Sequence, residues 1–568
     1  MKNFINIFEF LPENLFLRAK ILVVLTVILV FLEILSLGSI VPLLTSISSS
    51  EMPNFINKME INFLKNKSKD DLILIFIILF FLIYLIKILF NIFYIYFSNK
   101  FTFDIYSSLS NRLFKIYINQ NWLFYLNYNT AFIIRNIIGE ANTVRVSFIE
   151  PSLRIFSEIF VFCSIVLLLL FVEIKITLIL IFSIILIILL YKKITKPLFF
   201  NLGKIRLESS GLLNKTLIQT FNLVKEIKIL NKQNYFLEEY KKVLKNYLDS
   251  TRKSNVQVSI TRQVFEIVAL LVLIVMMFFF LNKETAQFNN SIPIIGLFLG
   301  SAYRILPSAN QLLNSLQRLD LGKKSLNLIL KILNDNKDIE TPKSENTFFL
   351  KKDIVFENVS FSYEEVNRLF DKLNLQIKKN EIIGIVGGSG QGKTTFINLL
   401  AGFLKPDSGK IKVDNQNIHK NESGWQNNIG IVQQEIYLVD DTIKKNIAFG
   451  LEDSQIDNEK IDKVLEAVEL KDFVNSLPQK EETIVGEKGQ KISAGQKQRI
   501  GIARMLYANK KLLIFDESTN ALDKETEREI IEFIKTLKKE HTIIMISHDL
   551  ENLKICDAII DIKKIKLN

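Results

Sequence analysis

Six stretches of the chain are apolar over about 20 residues, the length needed to cross roughly 30 Å of hydrocarbon: near 20–44, 72–98, 154–172, 175–195, 263–281 and 291–314. The last is the weakest, because Arg304 and Pro307 fall inside it. Segments three and four meet at a short turn around Glu173, Ile174 and Lys175, whereas more than fifty residues separate two from three and four from five. Those long connections repeat apolar residues at helical spacing, with Leu109, Leu113, Ile116 and Tyr117 in one and Leu223, Ile227 and Leu230 in the other. Helices are therefore predicted to run well beyond the bilayer. Positions 333–350 are polar and aperiodic, as a linker is. From Asp353 onward short β-type runs alternate with helical ones, 382–386 before 394–404 and 512–515 before 524–538, which predicts an α/β domain around a largely parallel sheet. The expected division is a six-helix, all-α membrane domain over 1–332, a linker over 333–350 and an α/β domain over 351–568.

Composition agrees with such a hybrid: 49% of residues are hydrophobic and mean hydropathy is +0.24, yet 23% are charged. The formal charge of +12 is better explained by lysine-rich segments facing anionic lipid than by nucleic acid, and no nucleic-acid partner is expected. Cys163 and Cys556 offer neither a disulfide framework nor metal-ligand spacing, and both are expected to be buried apolar fillers. The first apolar run lacks a small-residue cleavage pattern and is expected to stay as a span.

The apolar run 382–386 leads into Gly387-Gly388-Ser389-Gly390-Gln391-Gly392-Lys393-Thr394, which fits G-x-x-x-x-G-K-[ST] between a strand and a helix. Glycines let backbone N–H groups wrap phosphate, the helix N-terminus favours negative charge, and Lys393 supplies a point charge. Thr394 is placed to ligate Mg2+, and Thr395 completes the nucleotide-binding set. Downstream, the apolar run 512–515 ends in Asp516 and Glu517, suited to hold magnesium and to polarise an attacking water respectively. ATP and Mg2+ are the expected cofactors of this P-loop NTPase.

Ile492-Ser493-Ala494-Gly495-Gln496-Lys497-Gln498-Arg499 resembles the signature loop of the ABC transporters, and the resemblance covers 353–560. It implies that Ser493, Ala494, Gly495 and Gln496 contact ATP, with Ala494 standing where glycine is usual. It further implies adenine stacking on Tyr363, a Q-loop at Gln434 that also serves magnesium, a D-loop over 520–523 with Asp523 at the nucleotide, and a switch histidine at His548. Catalytic roles therefore fall to Glu517, His548 and Gln434. Taken alone, His548 reads as an ordinary surface histidine. Gln433 stands where proline is usual. The run 483–489 is similar to a segment characteristic of exporters.

In that family ATP lies between the P-loop of one copy and the signature of another, so a homodimer is expected. Six spans put both ends on one side, and cytosolic ATP makes that side the cytoplasm. The ends of the long connections, near 121–125 and 214–221, then either couple ATP-driven closure to the spans or pack ordinarily through Trp122, Phe124 and Tyr125.

Lys87, Arg262 and Arg304 lie within or at the rim of the spans, with the acids Glu33, Glu158 and Glu266 nearby. Such cations either line a basic cavity for an anionic head or are paired, as Arg262 and Glu266 would be one helical turn apart. In the first external connection Met52, Phe55, Ile56, Met59 and Phe63 fall at helical spacing, predicting an amphipathic helix that holds a lipid tail or merely caps the spans. With this helix, 82–94 and 303–310, the membrane domain resembles bacterial flippases for lipid-linked oligosaccharides, of the PglK type. That resemblance implies ATP-driven movement of a polyprenyl-pyrophosphate glycan to the outer leaflet of the bacterial inner membrane, with membrane lipid and this anionic glycan lipid as partners. The alternatives are an exporter of peptides, drugs or other lipids, and a non-transporting ABC regulator.

Overall fold

The computed structural model describes residues 9–10, 12–48, 68–281, 292–337, 350–363, 368–388, 390–517 and 524–565. The expected external helix with Met52, Phe55, Ile56, Met59 and Phe63 lies outside the described residues, as do most of the linker, Ser389, Asp523 and the side chain of Arg262. The chain divides into two compact units, Met1–Gln120 with Tyr125–Glu340, and Asn121–Phe124 with Thr341–Asn568.

The first unit is all helix. Its principal elements are α1 (Glu13–Gly38), α2 (Ile40–Ser48), α3 (Lys69–Ile118), α4 (Glu150–Val172), α5 (Ile174–Asn222), α6 (Gln233–Leu281) and α7 (Ile292–Asp335). The α3 helix has 50 residues, a length of about 75 Å at 1.5 Å per residue, so it outruns any bilayer as its periodicity predicts. Its start is set by Ser68, whose hydroxyl accepts from the Asp71 N–H, and by Asp70 and Asp71 at the positive end of the helix dipole. The α5, α6 and α7 helices, with 49, 49 and 44 residues, extend similarly.

Among the described residues three helical stretches are long and apolar enough to cross a membrane: Glu13–Ile47, Asp70–Ile118 and Thr130–Val172. Between α3 and α4 the helix widens to π-type turns over Arg135–Glu140 and Arg145–Ile149. These turns bury Asn136 and Glu140, the latter paired with Arg206 on α5 at 3.3 Å. The core joins Leu29 and Leu37 of α1 to Val161 and Ile165 of α4 and to Leu297 and Ile305 of α7. Much of the remaining apolar surface, Phe81 and Phe171 for example, faces outward, as lipid-facing helices require. Cys163 belongs to that outer surface: it is exposed, so the expectation of a buried filler fails there, and an apolar outside makes burial unnecessary.

The second unit is built on two sheets. Strands β1 (Asp353–Ser362), β2 (Arg368–Lys378), β4 (Ser408–Val413) and β5 (Gln416–Asn417) form an antiparallel sheet in the order β2-β1-β4-β5. Strands β3 (Ile382–Val386), β6 (Ile429–Val432), β7 (Leu512–Asp516), β8 (Thr542–Ile546) and β9 (Ala558–Asp561) form a parallel sheet, β6-β7-β8-β3-β9. The inner strands are continuous apolar runs because both faces are covered, and Ile382, Ile385, Leu512 to Ile514, Ile543 and Ile544 are fully buried. Helices α8 (Lys393–Leu400), α9 (Ala494–Tyr507) and α10 (Lys524–Leu537) belong to this unit. Trp425 is wholly buried, its indole N–H donating to the Leu400 carbonyl at 2.7 Å. Within the same unit the Trp122 ring centroid lies 5.8 Å from that of Phe403.

Candidate nucleotide site and a polar membrane cavity

Strand β3 lies between β8 and β9 and delivers the chain to the glycine loop at its C-terminal edge. Gly390 and Gly392 adopt φ of 75° and 106°, which only glycine takes without strain, and Gly392 then caps α8. The Gly388 N–H donates to the Gln391 side-chain oxygen at 2.6 Å, holding the loop as a turn from which backbone N–H groups can meet phosphate. Lys393, the first residue of α8, is buried, and its ammonium donates to the Gly387 carbonyl at 2.9 Å.

That ammonium also lies 3.1 Å from Glu517 Oε1 and 3.1 Å from His548 Nε2, while His548 Nε2 lies 2.8 Å from Glu517 Oε1. Three functional groups from α8, the end of β7 and the loop after β8 thus meet in one place. Glu517 has φ of 48°, and its N–H is held by the Ile546 carbonyl of β8 at 3.0 Å. A non-glycine residue kept in this region stores about 1–3 kcal/mol, a cost typical of functional positions. Burial, and after it the Glu517 carboxylate, pushes the Asp516 carboxyl upward, and Lys393 partly offsets this.

Tyr363, 53% exposed, packs edge-on to Phe361 at 5.1 Å, and its hydroxyl is 3.2 Å from Thr395 Oγ1. A tyrosine ring presented in this way beside the loop is a platform for a flat base. For magnesium the donor set fits: the Thr394 hydroxyl and the Gln434 amide are exposed, the Asp516 carboxylate is half-buried, and all three offer hard oxygen. Val432 of β6 pairs with Phe515 of β7, so Gln434 and Asp516 leave the same edge of the sheet.

Ser493 caps α9 by accepting from the Gln496 N–H, and the Gln496 side chain returns the bond to the Ser493 N–H at 3.0 Å. Ala494 is the first helical residue, where alanine is a better fit than glycine, so its departure from the usual signature carries no backbone cost. Gly495 follows in the same turn.

In the membrane unit, of the two alternatives left open for the cations, two of the three residues take the paired one. Lys87 and Arg304 both bond to Glu33 Oε1, at 3.0 and 2.9 Å, and Arg304 lies 3.8 Å from Glu158 Oε2. The physical reason is cost: a lone charge among apolar helices is expensive, and Glu33 and Glu158 are themselves buried. These groups line a cavity of about 390 Å³ with Asn91, Ser98, Arg154 and Gln311. Sequence reasoning named Glu33 and Glu158 only as nearby acids; a carboxylate inside each apolar run was the available signal.

A P-loop nucleotide site on a parallel sheet, in a chain that also carries helices long and apolar enough to cross a membrane, defines the class: a nucleotide-binding domain joined to a membrane domain. The comparisons narrow it. The transmembrane-region model of ABC transporters matches 22–299 and the ABC transporter ATPase model matches 370–520, and the chain belongs to the ABC transporters, with the exporter half-transporter arrangement. An ATP-dependent lipid A-core flippase of Haemophilus influenzae (strain 86-028NP) is 31% identical over 372 residues, covering 65% of this chain and 62% of that protein. The leukotoxin translocation ATP-binding protein LktB of Mannheimia glucosida is 38% identical over 217 residues, 38% of this chain and 30% of that one. The chain thus spans less than two thirds of either relative. A bacterial Atm1-family ABC exporter solved with ATP bound shares the fold, with a TM-score of 0.80 at 20% identity over 95% of this chain and 93% of that one.

Proposed function

We propose that this protein is an ATP-driven exporter of the bacterial inner membrane, working as a homodimer, that flips a polyprenyl-pyrophosphate oligosaccharide from the cytoplasmic to the outer leaflet. The observation that carries the ATPase part is the convergence of Lys393, Glu517 and His548 within 3.1 Å at the end of the parallel sheet.

Bound ATP replaces Glu517 as the partner of Lys393, whose ammonium then neutralises phosphate charge. Glu517, released, accepts a proton from the attacking water, and His548 orients that carboxylate through its Nε2. Magnesium, held by Thr394, Gln434 and Asp516, would supply neutralisation of charge on the phosphates. Tyr363 takes the adenine. The side-chain hydrogen bonds between Ser493 and Gln496 are internal to the signature, leaving its backbone at the N-terminus of α9 for the nucleotide of a second copy.

The cargo reading draws support from the polar cavity among the apolar helices, with Lys87 and Arg304 in its wall and room of about 390 Å³ for the pyrophosphate, while outward apolar surface suits a tail left in lipid. The name of the Haemophilus relative favours a lipid cargo. Export of a peptide or protein is the second reading, favoured by the name of the leukotoxin translocator. ATPase activity in proteoliposomes, measured against polyprenyl-pyrophosphate oligosaccharide, a lipid A analogue and a peptide panel, separates the two. Stimulation by the oligosaccharide lipid alone is the expected result; stimulation only by peptides overturns the reading.

A further inference from the structure

Glu33 is 2% exposed on α1, and one of its oxygens, Oε1, receives both the Lys87 ammonium from α3 and the Arg304 guanidinium from α7. The Lys87 ammonium also donates to the Ser36 hydroxyl at 3.2 Å. Glu158 on α4 balances the second charge, and its carboxylate accepts from the Ser308 hydroxyl. Two carboxylates therefore face two cations and the centre is neutral, which accounts for its tolerance among apolar helices.

A phosphoryl oxygen asks for the same partners as a carboxylate oxygen: charge-assisted N–H donors from lysine and arginine. The Glu33 carboxylate already occupies donors of that kind on Lys87 and Arg304. The wall that holds it is also not uniform in charge. Along α3 the polar lining continues from Lys87 through Asn91 and Ser98 to Thr102, about 22 Å of one helix face. On α4, Arg154 lines the same cavity one helical turn before Glu158, exposed and, among the described residues, without an ion pair. Glu150, paired with Arg145, lines the cavity one turn before Arg154, so the wall presents cations and carboxylates in alternation, with Lys87 and Arg304 the ones that share a single acceptor.

Taking the cargo to be a lipid with a phosphorylated head, as the proposed function holds, we infer that Glu33 is an exchangeable internal counter-anion. It holds Lys87 and Arg304 neutral before cargo arrives, yields them to the phosphoryl group, and reclaims them to expel the head after movement. Glu33 is thus a positioning residue acting through the two cations. It keeps cargo affinity low enough for release, because any anion must displace a carboxylate already in place.

The test uses the full-length protein in proteoliposomes, wild type beside Glu33→Gln, which keeps the side chain's shape and removes its charge. ATPase activity is titrated with polyprenyl pyrophosphate, with neutral polyprenol, and with inorganic pyrophosphate under excess magnesium. The expected result is a half-maximal concentration of polyprenyl pyrophosphate lower by about tenfold in the variant, a maximal stimulated rate lower by severalfold, and no response to polyprenol. An equal shift with inorganic pyrophosphate would make the exchanging anion a free phosphate group; a shift confined to the lipid makes it a headgroup. A variant whose maximal rate falls at an unchanged or higher half-maximal concentration overturns the inference and leaves Glu33 a structural counter-ion. Wild type stimulated normally with an identical Glu33→Gln titration overturns it while sparing the cargo reading; wild type indifferent to every phosphorylated lipid overturns both. If Glu33→Gln does not fold, Glu33→Asp retracts the charge by one methylene and gives a smaller shift in the same direction; no shift overturns the inference.

Discussion

His548 Nε2 and Glu517 Oε1 lie 2.8 Å apart, joining the loop after β8 to the end of β7. The contact is made from a strained residue: Glu517 reaches it with φ of 48°. Glutamine keeps the shape and the hydrogen bond and loses the base. Glu517→Gln is therefore expected to lower the hydrolysis rate by about 10²-fold or more while leaving ATP binding within a few fold. Steady-state ATPase assays beside binding of a fluorescent ATP analogue check this; loss of binding in parallel would place Glu517 in substrate binding instead.

His541 gives a pH dependence outside the membrane and away from the nucleotide. It is buried before β8, and its Nδ1–H donates to the Lys510 carbonyl at 2.7 Å; burial pulls its pKa down, with that bond partly offsetting. The folded state therefore takes up its proton at lower pH than the unfolded chain, which protonates near pH ~6.5. Below that value the unfolded state binds more protons, so stability falls as pH drops toward the depressed folded value. Thermal unfolding from pH 8 to 5 is expected to show this loss, and His541→Gln is expected to flatten it.

Gly203 lies where the backbones of α5 and α7 pass close together. A Cβ at this position would stand 2.2 Å from the Leu321 backbone carbonyl oxygen, which cannot rotate away. Gly203→Ala is expected to destabilise the membrane unit by about 1–3 kcal/mol. Gly38→Ala, with no atom within 4 Å of the added methyl, is the control and leaves the melting temperature within a degree or two of wild type. Thermal melts in detergent distinguish them.

The nucleotide site was legible in the sequence because its parts are short contiguous runs whose spacing encodes their geometry. Gly387 to Lys393 specify a turn and a helix start within seven positions, and Asp516 and Glu517 end an apolar run. Helix length was equally readable, since apolar spacing over 99–118 continues the 72–98 segment into the single helix α3. The partners of Lys87 and Arg304 were not, because Glu33 is 54 and 271 positions away from them. A helix apolar on all sides gives no face to orient it, so neither rotation nor register between spans follows from periodicity. The π-type turns at 135–140 escaped for a related reason: their apolar pattern differs little from that of an α-helix.

ATP-driven transfer of a lipid-linked glycan between leaflets is checked by following translocation itself. Proteoliposomes holding wild type or Glu517→Gln are loaded with fluorescent polyprenyl-pyrophosphate oligosaccharide, given ATP on the side of the nucleotide-binding unit, and probed for glycan on the opposite leaflet. Time-dependent, ATP-dependent transfer by wild type, absent with Glu517→Gln, is the predicted result. Glu517-dependent ATP hydrolysis without any transfer of the lipid would overturn the flippase reading.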